Sequence, residues 1–347
     1  MKNKITIIIA IILLIITAFL LFNNKKGTLK KEVSDFAIED TASITKIFMA
    51  DKMNNQVTLK RLDGYWTVND KYIARVDLMK ILLKTMKQIE VQSPVAKAAH
   101  NTVISRLAAN SVKVEIYQTK YIIDFWGIRL IKHEKLSKVY YVGGATQNQQ
   151  GTYMLLEGAK EPFITYLPSV MGFLTPRYAA KEIEWRERII AKYRITDIRS
   201  IKLTYHNEPE KSFEMKYDGK NNISLFAIND NNRQLTNLNN HKLKNYISGF
   251  SKISLEAFLP DASTAEKDSI KKEGCIYTLS IKDKSGKIMI VNMYHKGAKQ
   301  DETDLKGIPL KYDRDRMFAF INDDKDFIQI QYYEFDKILK PVSYFEK

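Results

Sequence analysis

The sequence predicts an α+β fold: two tandem copies of a mostly antiparallel sheet unit with one main helix each, after an N-terminal transmembrane helix. Three observations predict it. An unbroken apolar run opens the chain, strand-like runs dominate the remainder, and those runs recur in the same order in two halves. Nineteen Tyr and sixteen Phe agree with strands, because aromatic side chains suit a pleated, half-buried surface. Apolar residues at 45% and charged residues at 27% mark a globular chain rather than a disordered one.

The first element is the run from Ile5 to Phe22, in which Thr6 and Thr17 are the only polar side chains. As a helix these eighteen residues reach roughly 27 Å, close to a hydrocarbon core of about 30 Å. A cleaved signal peptide is the competing reading. Its apolar core is shorter and ends at a small-x-small site, whereas this run ends Phe-Asn-Asn-Lys-Lys. Residues 1–31 are therefore read as anchor and flanks. Lys2, Lys4 and the amino terminus precede the span and Lys25, Lys26, Lys30 and Lys31 follow it, which leaves the flanking charge close to a tie, slightly adverse to an outside domain. A very short lysine-bearing tail is the usual look of a signal anchor. The bulk of the chain is expected to be extracytoplasmic.

The first α+β unit is expected over 43–176. Ile44 to Met49 and Val57 to Arg61 are strand-like runs, closed by the turn pair Asp63-Gly64, and Trp66 to Val68 is a third run. Met79, Leu82, Leu83 and Met86 recur at helical spacing, so a helix is expected over 76–90 with Asp77 at its start. Val112 to Tyr117 and Tyr121 to Trp126 come next as an expected hairpin. The second unit, 197–341, repeats this order. Ile198 to Leu203, Phe213 to Tyr217 with Asp218-Gly219, and Ile223 to Leu225 match the first three runs. Leu243, Tyr246, Ile247 and Phe250 give a helix over 240–252, and Ile276 to Ile281 with Lys287 to Tyr294 give the hairpin, joined by Asp283 to Gly286. The tails FITYLPSVMGFLTP and FIQIQYYEFDKILKP also correspond. Residues 177–196 are a connector, helical or extended, whose Trp185 and Arg186 are candidates for a clasp between the units.

The order of elements resembles the bacterial family called domain of unknown function 4340. The residues that carry the resemblance are ITKIFMADKMNNQVTLKRLDGYWTVNDKYIA, YYVGGATQNQQGTYMLLEG, Pro162-Phe163, Trp185-Arg186 and YEFDKIL. It covers nearly everything after residue 40. It implies a membrane-anchored, extracytoplasmic protein of the Bacteroidota type, with transport or gliding-associated membrane machinery as neighbours, and brings no catalytic residues with it.

The stretch VYYVGGATQNQQGTYMLLEG holds the candidate binding loop: Gly143, Gly144, Thr146, Gln147, Asn148, Gln149, Gln150 and Gly151. A phosphate loop needs Gly-x-x-x-x-Gly-Lys-Ser/Thr leading into a helix. Here Thr152-Tyr-Met-Leu-Leu comes after the last glycine, which is strand-like, and the lysine is missing. A hairpin turn is the plainer reading, with the glycine pair supplying positive φ or a bulge. The second unit shows Tyr312-Asp-Arg-Asp-Arg-Met317 at the expected counterpart, without the glycine pair and with a shorter connection. That makes the polar loop a feature of the first unit, and polar loops on rigid scaffolds are where binding residues gather.

Other chemistry finds little footing. His100, His133, His206, His241 and His295 stand apart in sequence, with no HExxH spacing, and no Gly-x-Ser-x-Gly elbow occurs. Cys275 is the sole cysteine, so an intramolecular disulfide is excluded. Asn322 to Asp326 lacks the glycine and closing glutamate of a calcium loop and reads as a hairpin turn. No catalytic, metal or cofactor residues are assigned, and no cofactor is expected.

The chain carries net charge +15, concentrated unevenly. Residues 43–176 hold 18 Lys and Arg against 10 acids, net +8; residues 197–341 hold 24 against 22, net +2. Nucleic acid is not the expected partner, since the basic residues alternate with acids and no recognition-helix pattern occurs. The expected partners are the membrane through the N-terminal helix, an envelope protein, and an anionic lipid surface for the first unit. The expected function is a membrane-anchored binding or scaffolding module of an envelope complex, with a transporter as one candidate neighbour. The alternative is an envelope hydrolase acting on glycan or peptide, with its site between the two units.

Overall fold

The computed structural model describes residues 12–14, 17, 34–125, 128–218 and 222–347. Most of the expected transmembrane span, Ile5 to Phe22, lies outside the described residues, as does Gly219 of the expected turn. Among the described residues no helix is long and apolar enough to cross a membrane. The chain divides into two compact units at Glu187/Arg188, inside the expected connector.

In the first unit, strands β1 (Ile44–Ala50), β2 (Gln56–Arg61), β3 (Trp66–Val68) and β4 (Tyr72–Ile73) lead into helix α1 (Val76–Gln88). Strand β5 (Glu90–Pro94) and helix α2 (Lys97–Asn110) come next, then β6 (Val112–Phe125), β7 (Ile128–Ala145), β8 (Thr152–Leu156) and β9 (Phe163–Tyr166). They form one antiparallel sheet of nine strands in the order β4-β3-β2-β1-β6-β7-β8-β9-β5. Burial alternates along the strands as the pleat demands. Ile47 of β1 lies opposite Leu59 on one side and Ile116 on the other. With Met49, Val57, Val114, Tyr140, Val142 and Met154 they make one buried face, covered by Met79, Leu82 and Met86 of α1.

The opposite face is covered as well. Tyr153 and Leu155 point away from Met154 and pack with Val103 and Leu107 of α2 and with Val95. The expectation of one main helix per unit is thus corrected to a helix on each face. The α2 stripe was hard to see in sequence because only Val103 and Leu107 of the helix are buried, among alanines.

The second unit repeats the plan. A short strand β10 (Ile189–Ala191) precedes β11 (Ile198–Tyr205), β12 (Phe213–Tyr217), β13 (Ile223–Ala227) and β14 (Arg233–Leu235). Helix α3 (Asn240–Ser248), β15 (Ile253–Ser254), β16 (Ala257–Phe258) and helix α4 (Thr264–Glu273) come next. The unit closes with β17 (Tyr277–Asp283), β18 (Ile288–Gly297), β19 (Tyr312–Ile321) and β20 (Asp326–Gln331). The order β14-β13-β12-β11-β17-β18-β19-β20-β16 matches the first sheet strand for strand. Leu243, Tyr246 and Ile247 of α3 cover the large core, while Ile270 of α4 packs with Tyr294, Phe320 and Phe327 on the other face. Asn322, Asp323 and Asp324 all have positive φ between β19 and β20, so the acidic run is a hairpin turn.

Three local expectations need correcting. The first-unit hairpin is not Val112–Tyr117 with Tyr121–Trp126. Val112–Phe125 is one continuous strand whose partner is Ile128–Ala145, because Gln118-Thr-Lys holds no Gly, Pro or Asn to turn the chain. Asp77 does not cap α1. It sits in the first turn and pairs with Arg75, the residue at the cap position, at 2.5 Å. The second unit's counterpart of the polar loop is not shorter. The β18–β19 connection is 298–311, and Tyr312 to Met317 already belongs to β19, starting opposite Gly297.

Candidate functional site

Thr146 organises the polar loop. It begins where β7 ends, with a register irregularity between Val142 and Ala145. The bulge expected of the glycine pair is there, but neither Gly143 nor Gly144 has positive φ; Gln149 does, at 58°. Gly143 is required for a different reason. A Cβ there would stand 2.5 Å from Leu107 Cδ2 and 2.9 Å from the Tyr153 carbonyl oxygen, so α2 packs where a side chain would go. Gly151 is similar, with Ile164 Cγ2 2.6 Å from an added Cβ. Gly143 and Gly151 thus make room for neighbours, whereas a Cβ at Gly144 would meet nothing within 4 Å.

The loop's amides face inward. Thr146 N–H donates to the Gly151 carbonyl (2.9 Å), Gln149 N–H to the Thr146 carbonyl (2.9 Å) and Gly151 N–H to Thr146 Oγ1 (3.0 Å). Gln150 N–H donates to Asn148 Oδ1 (3.2 Å), which also accepts from Thr146 Oγ1 (2.6 Å). An anion cradle needs such N–H groups free and a helix start behind them; here four are used, and the loop joins two strands. Gln147 and the tips of Asn148, Gln149 and Gln150 are exposed.

Trp185 and Arg186 belong to the first unit's own packing. Trp185 is buried in that core and its Nε1 donates to the Ala179 carbonyl (2.8 Å). The Arg186 guanidinium lies 3.7 Å from the Tyr72 ring centroid. Backbone bonds from Arg75 N–H to the Trp185 carbonyl and from Glu187 N–H to the Ile73 carbonyl tie the segment alongside β4.

Beside it runs a groove of about 780 Å³, floored by Leu78, Ile81, Val112 and Tyr178 and rimmed by Arg75 and Lys181. Its polar groups are mostly engaged. Arg177 donates to Thr85 Oγ1 (3.0 Å), and Asp51 accepts from Met53 and Asn55 amides and from Asn55 Nδ2. Behind the floor Tyr140 donates its hydroxyl to Tyr178 (3.2 Å). Burial pushes Tyr178 up to about 12, so at neutral pH this pair is a neutral hydrogen bond inside the core.

A second concavity, about 610 Å³, lies at the root of the β6–β7 hairpin, between that hairpin and residues 35–40. Lys138 ties residues 35–37 to the hairpin there, donating to the carbonyls of Asp35 (2.5 Å) and Ala37 (2.6 Å). Burial lowers the Lys138 ammonium from its ordinary value, while Asp35 works against the shift. Gln118 Nε2 donates to the Asp40 carbonyl and to Ser43 Oγ, both at 2.9 Å. Exposed Lys120 and Lys135 line the same place. Sequence reasoning missed this site because it broke β6 at Gln118. The signal was the unbroken length of the run from Val112 through Phe125.

The histidines do not converge, and among the described residues no group of three His, Cys, Asp or Glu side chains could hold a metal ion. Cys275 donates to the Tyr277 carbonyl (3.2 Å) beside the smaller core of the second unit.

With this geometry in place, comparison with protein families gives a match to the model for the domain of unknown function (DUF4340) over residues 66–273, more than half of the chain. The chain belongs to this family. The DUF4340 match opens at β3 and ends with α4, so it takes in the polar loop, Trp185-Arg186 and the hairpin, and leaves ITKIFMADKM and YEFDKIL outside. No curated protein matches the chain, and no solved structure does.

Proposed function

We propose that this DUF4340 protein is a membrane-anchored, extracytoplasmic binding or scaffolding module of an envelope complex. The anchor is the apolar run Ile5 to Phe22. The observation that carries the binding reading is how the polar groups near the groove and loop are spent. Thr146, Asp51, Arg75 and Arg177 all hold their own unit together. What these surfaces offer outward is area and shape, the means by which a module docks a partner. The groove floored by Leu78 and Ile81 is the place for a partner's apolar segment, with Lys181 at its rim.

The test is purification of the full chain from its own membranes in mild detergent. A partner recovered in fixed stoichiometry, and lost on Ile81→Asp, is the expected result; Ile81 is exposed, so this change leaves the fold intact. Recovery of the chain alone overturns the reading. Steady turnover of envelope glycan or peptide by the purified chain overturns it in favour of a hydrolase.

A further inference from the structure

The first unit carries an arm that the second lacks. β1 accompanies β6 only as far as Gln118, and β8 accompanies β7 only from Tyr140 onward. Beyond those points the two strands pair with each other alone, out to Phe125 and Ile128. At about 3.3 Å per residue the stretch from Gln118 to Phe125 carries the arm roughly 23 Å from its root. The counterpart strands β17 and β18 pair no further than Lys282 with Ile288, where Asp283 closes the turn by accepting from Ser285 and Lys287 amides.

A lone two-stranded ribbon in water is marginally stable and is expected to be polar. This one is apolar towards its end. Ile122, Leu130 and Ile131 are 64%, 51% and 63% exposed. Ile131 holds a left-handed backbone, φ 56°, a rare conformation for a β-branched residue. Behind these residues stand Lys120, Lys132 and Lys135, all exposed and without an ion pair among the described residues. Of the acids at the root, Glu134 is taken by Lys46 (3.0 Å) and Thr45 Oγ1 (2.5 Å), Asp35 pairs with Lys138 (3.3 Å), and Asp40 accepts from the Ala42 and Ser43 amides, while exposed Glu39 lines the same concavity. The register sets Asp124 opposite Arg129. The root is also where the chain arrives from the apolar run, since Lys138 grips Asp35 and Ala37. Residues 23–33 can span at most about 40 Å, so an anchored chain keeps the root near a bilayer.

We propose that this hairpin inserts Ile122, Leu130 and Ile131 into the boundary between head groups and acyl chains of an anionic bilayer, with Lys120, Lys132 and Lys135 on the lipid phosphates. The proposal rests on the anchored reading of the N-terminus and names the surface against which the module is held. Two residues separate Ile122 from Lys120, about 7 Å, which matches the step from acyl boundary to head group. Lysine stems reach along apolar surface while their ammonium groups stay at phosphate depth.

The test uses the full chain reconstituted into nanodiscs of phosphatidylcholine, with or without phosphatidylglycerol. A fluorophore is placed at Ile122→Cys in a Cys275→Ala background; a second variant carries it at Leu305→Cys, a fully exposed position in the second unit. Quenching by brominated lipid at position 122 and not at 305, and only with the anionic lipid, is the expected result. Each lysine at an anionic surface shifts docking by roughly fivefold. Joint replacement of Lys120, Lys132 and Lys135 by Gln therefore shifts it by roughly a hundredfold, and quenching falls to background. Equal access of an aqueous quencher to positions 122 and 305 overturns the proposal. So does protection of position 122 that needs added envelope protein, which would make the arm a protein contact. Retention of the chain in the bilayer after an alkaline wash scores the anchor separately, so loss of the anchor and failure of the arm are read by different measurements.

Discussion

Single residues decide where the neighbours of the polar loop can stand. Gly143→Ala would push a methyl group into Leu107 and against a backbone oxygen that cannot move aside. Overpacking of this kind costs about 1–3 kcal/mol. Gly144→Ala meets nothing within 4 Å and should stay within about 0.5 kcal/mol of the parent. Denaturant unfolding of the two variants separates them, and equal stability would remove the close-packing account of Gly143. The glycine pair was visible in sequence, but its purpose was not, because the helix that presses on it was unrecognised. A second residue-scale prediction concerns His295, stacked on Tyr312 with ring centroids 4.0 Å apart. Burial lowers its pKa below 6.5, Glu273 opposes the shift and Lys311 adds to it. A depressed histidine binds its proton more readily in the unfolded chain. Its contribution is therefore intact above 6.5 and is lost as pH falls from there through the folded value. The melting temperature of the parent should fall more steeply between pH 7 and pH 5 than that of His295→Gln; parallel curves would exclude the effect.

At the scale of elements, strands were easier to read than helices. Alternation in ITKIFMA and QVTLKR marks buried positions directly, and Ile47, Met49, Val57 and Leu59 are all buried where that pattern puts them. Helix α4 gave no such mark. TAEKDSIKKE has no buried residue; half-buried Ile270 reaches the core, and Lys271 lies 4.5 Å from the Phe320 ring centroid while pairing with Asp324 (2.8 Å). Its start is nevertheless written in sequence. Ser263 accepts from Glu266 N–H (3.2 Å) and Glu266 accepts from Ser263 N–H (2.8 Å), a reciprocal capping box. With so little burial to hold it, α4 depends on that cap. Ser263→Ala should cost about 1 kcal/mol and speed amide exchange along α4 before the sheet is affected. Uniform protection in parent and variant would show that packing by Ile270 is enough. The long hairpin was lost for the opposite reason: its pattern is strong, but a polar interval at Gln118-Thr-Lys looked like a turn when it is the point where the sheet ends and the ribbon continues.

For the whole molecule, each unit has its own large core and its own complete sheet. Residues 188–347 alone should therefore unfold in one cooperative transition, measured by circular dichroism against denaturant; a broad, non-cooperative melt would mean that the unit needs the rest of the chain. The repeat was legible because each strand kept its hydrophobic alternation and its order. The second helix of each copy was not, because α2 buries only Val103 and Leu107 among alanines and α4 buries no residue, which leaves little periodic trace. The shared strand order also bears on how the chain reaches its native state. In both sheets the central contacts, β1 with β6 and β11 with β17, join strands far apart in sequence, after a four-strand meander has already formed on one side. Such closure is slow. While it is pending, two half-sheets of the same connectivity wait on one chain, and β1 presents to β17 an edge of the same shape as the one it owes β6. Mispairing between tandem copies is then the characteristic trap. Refolding of the full chain should show a slow, temperature-sensitive phase that is missing from residues 188–347 alone. Vectorial synthesis, which completes the first sheet before β17 emerges, is the natural way around it.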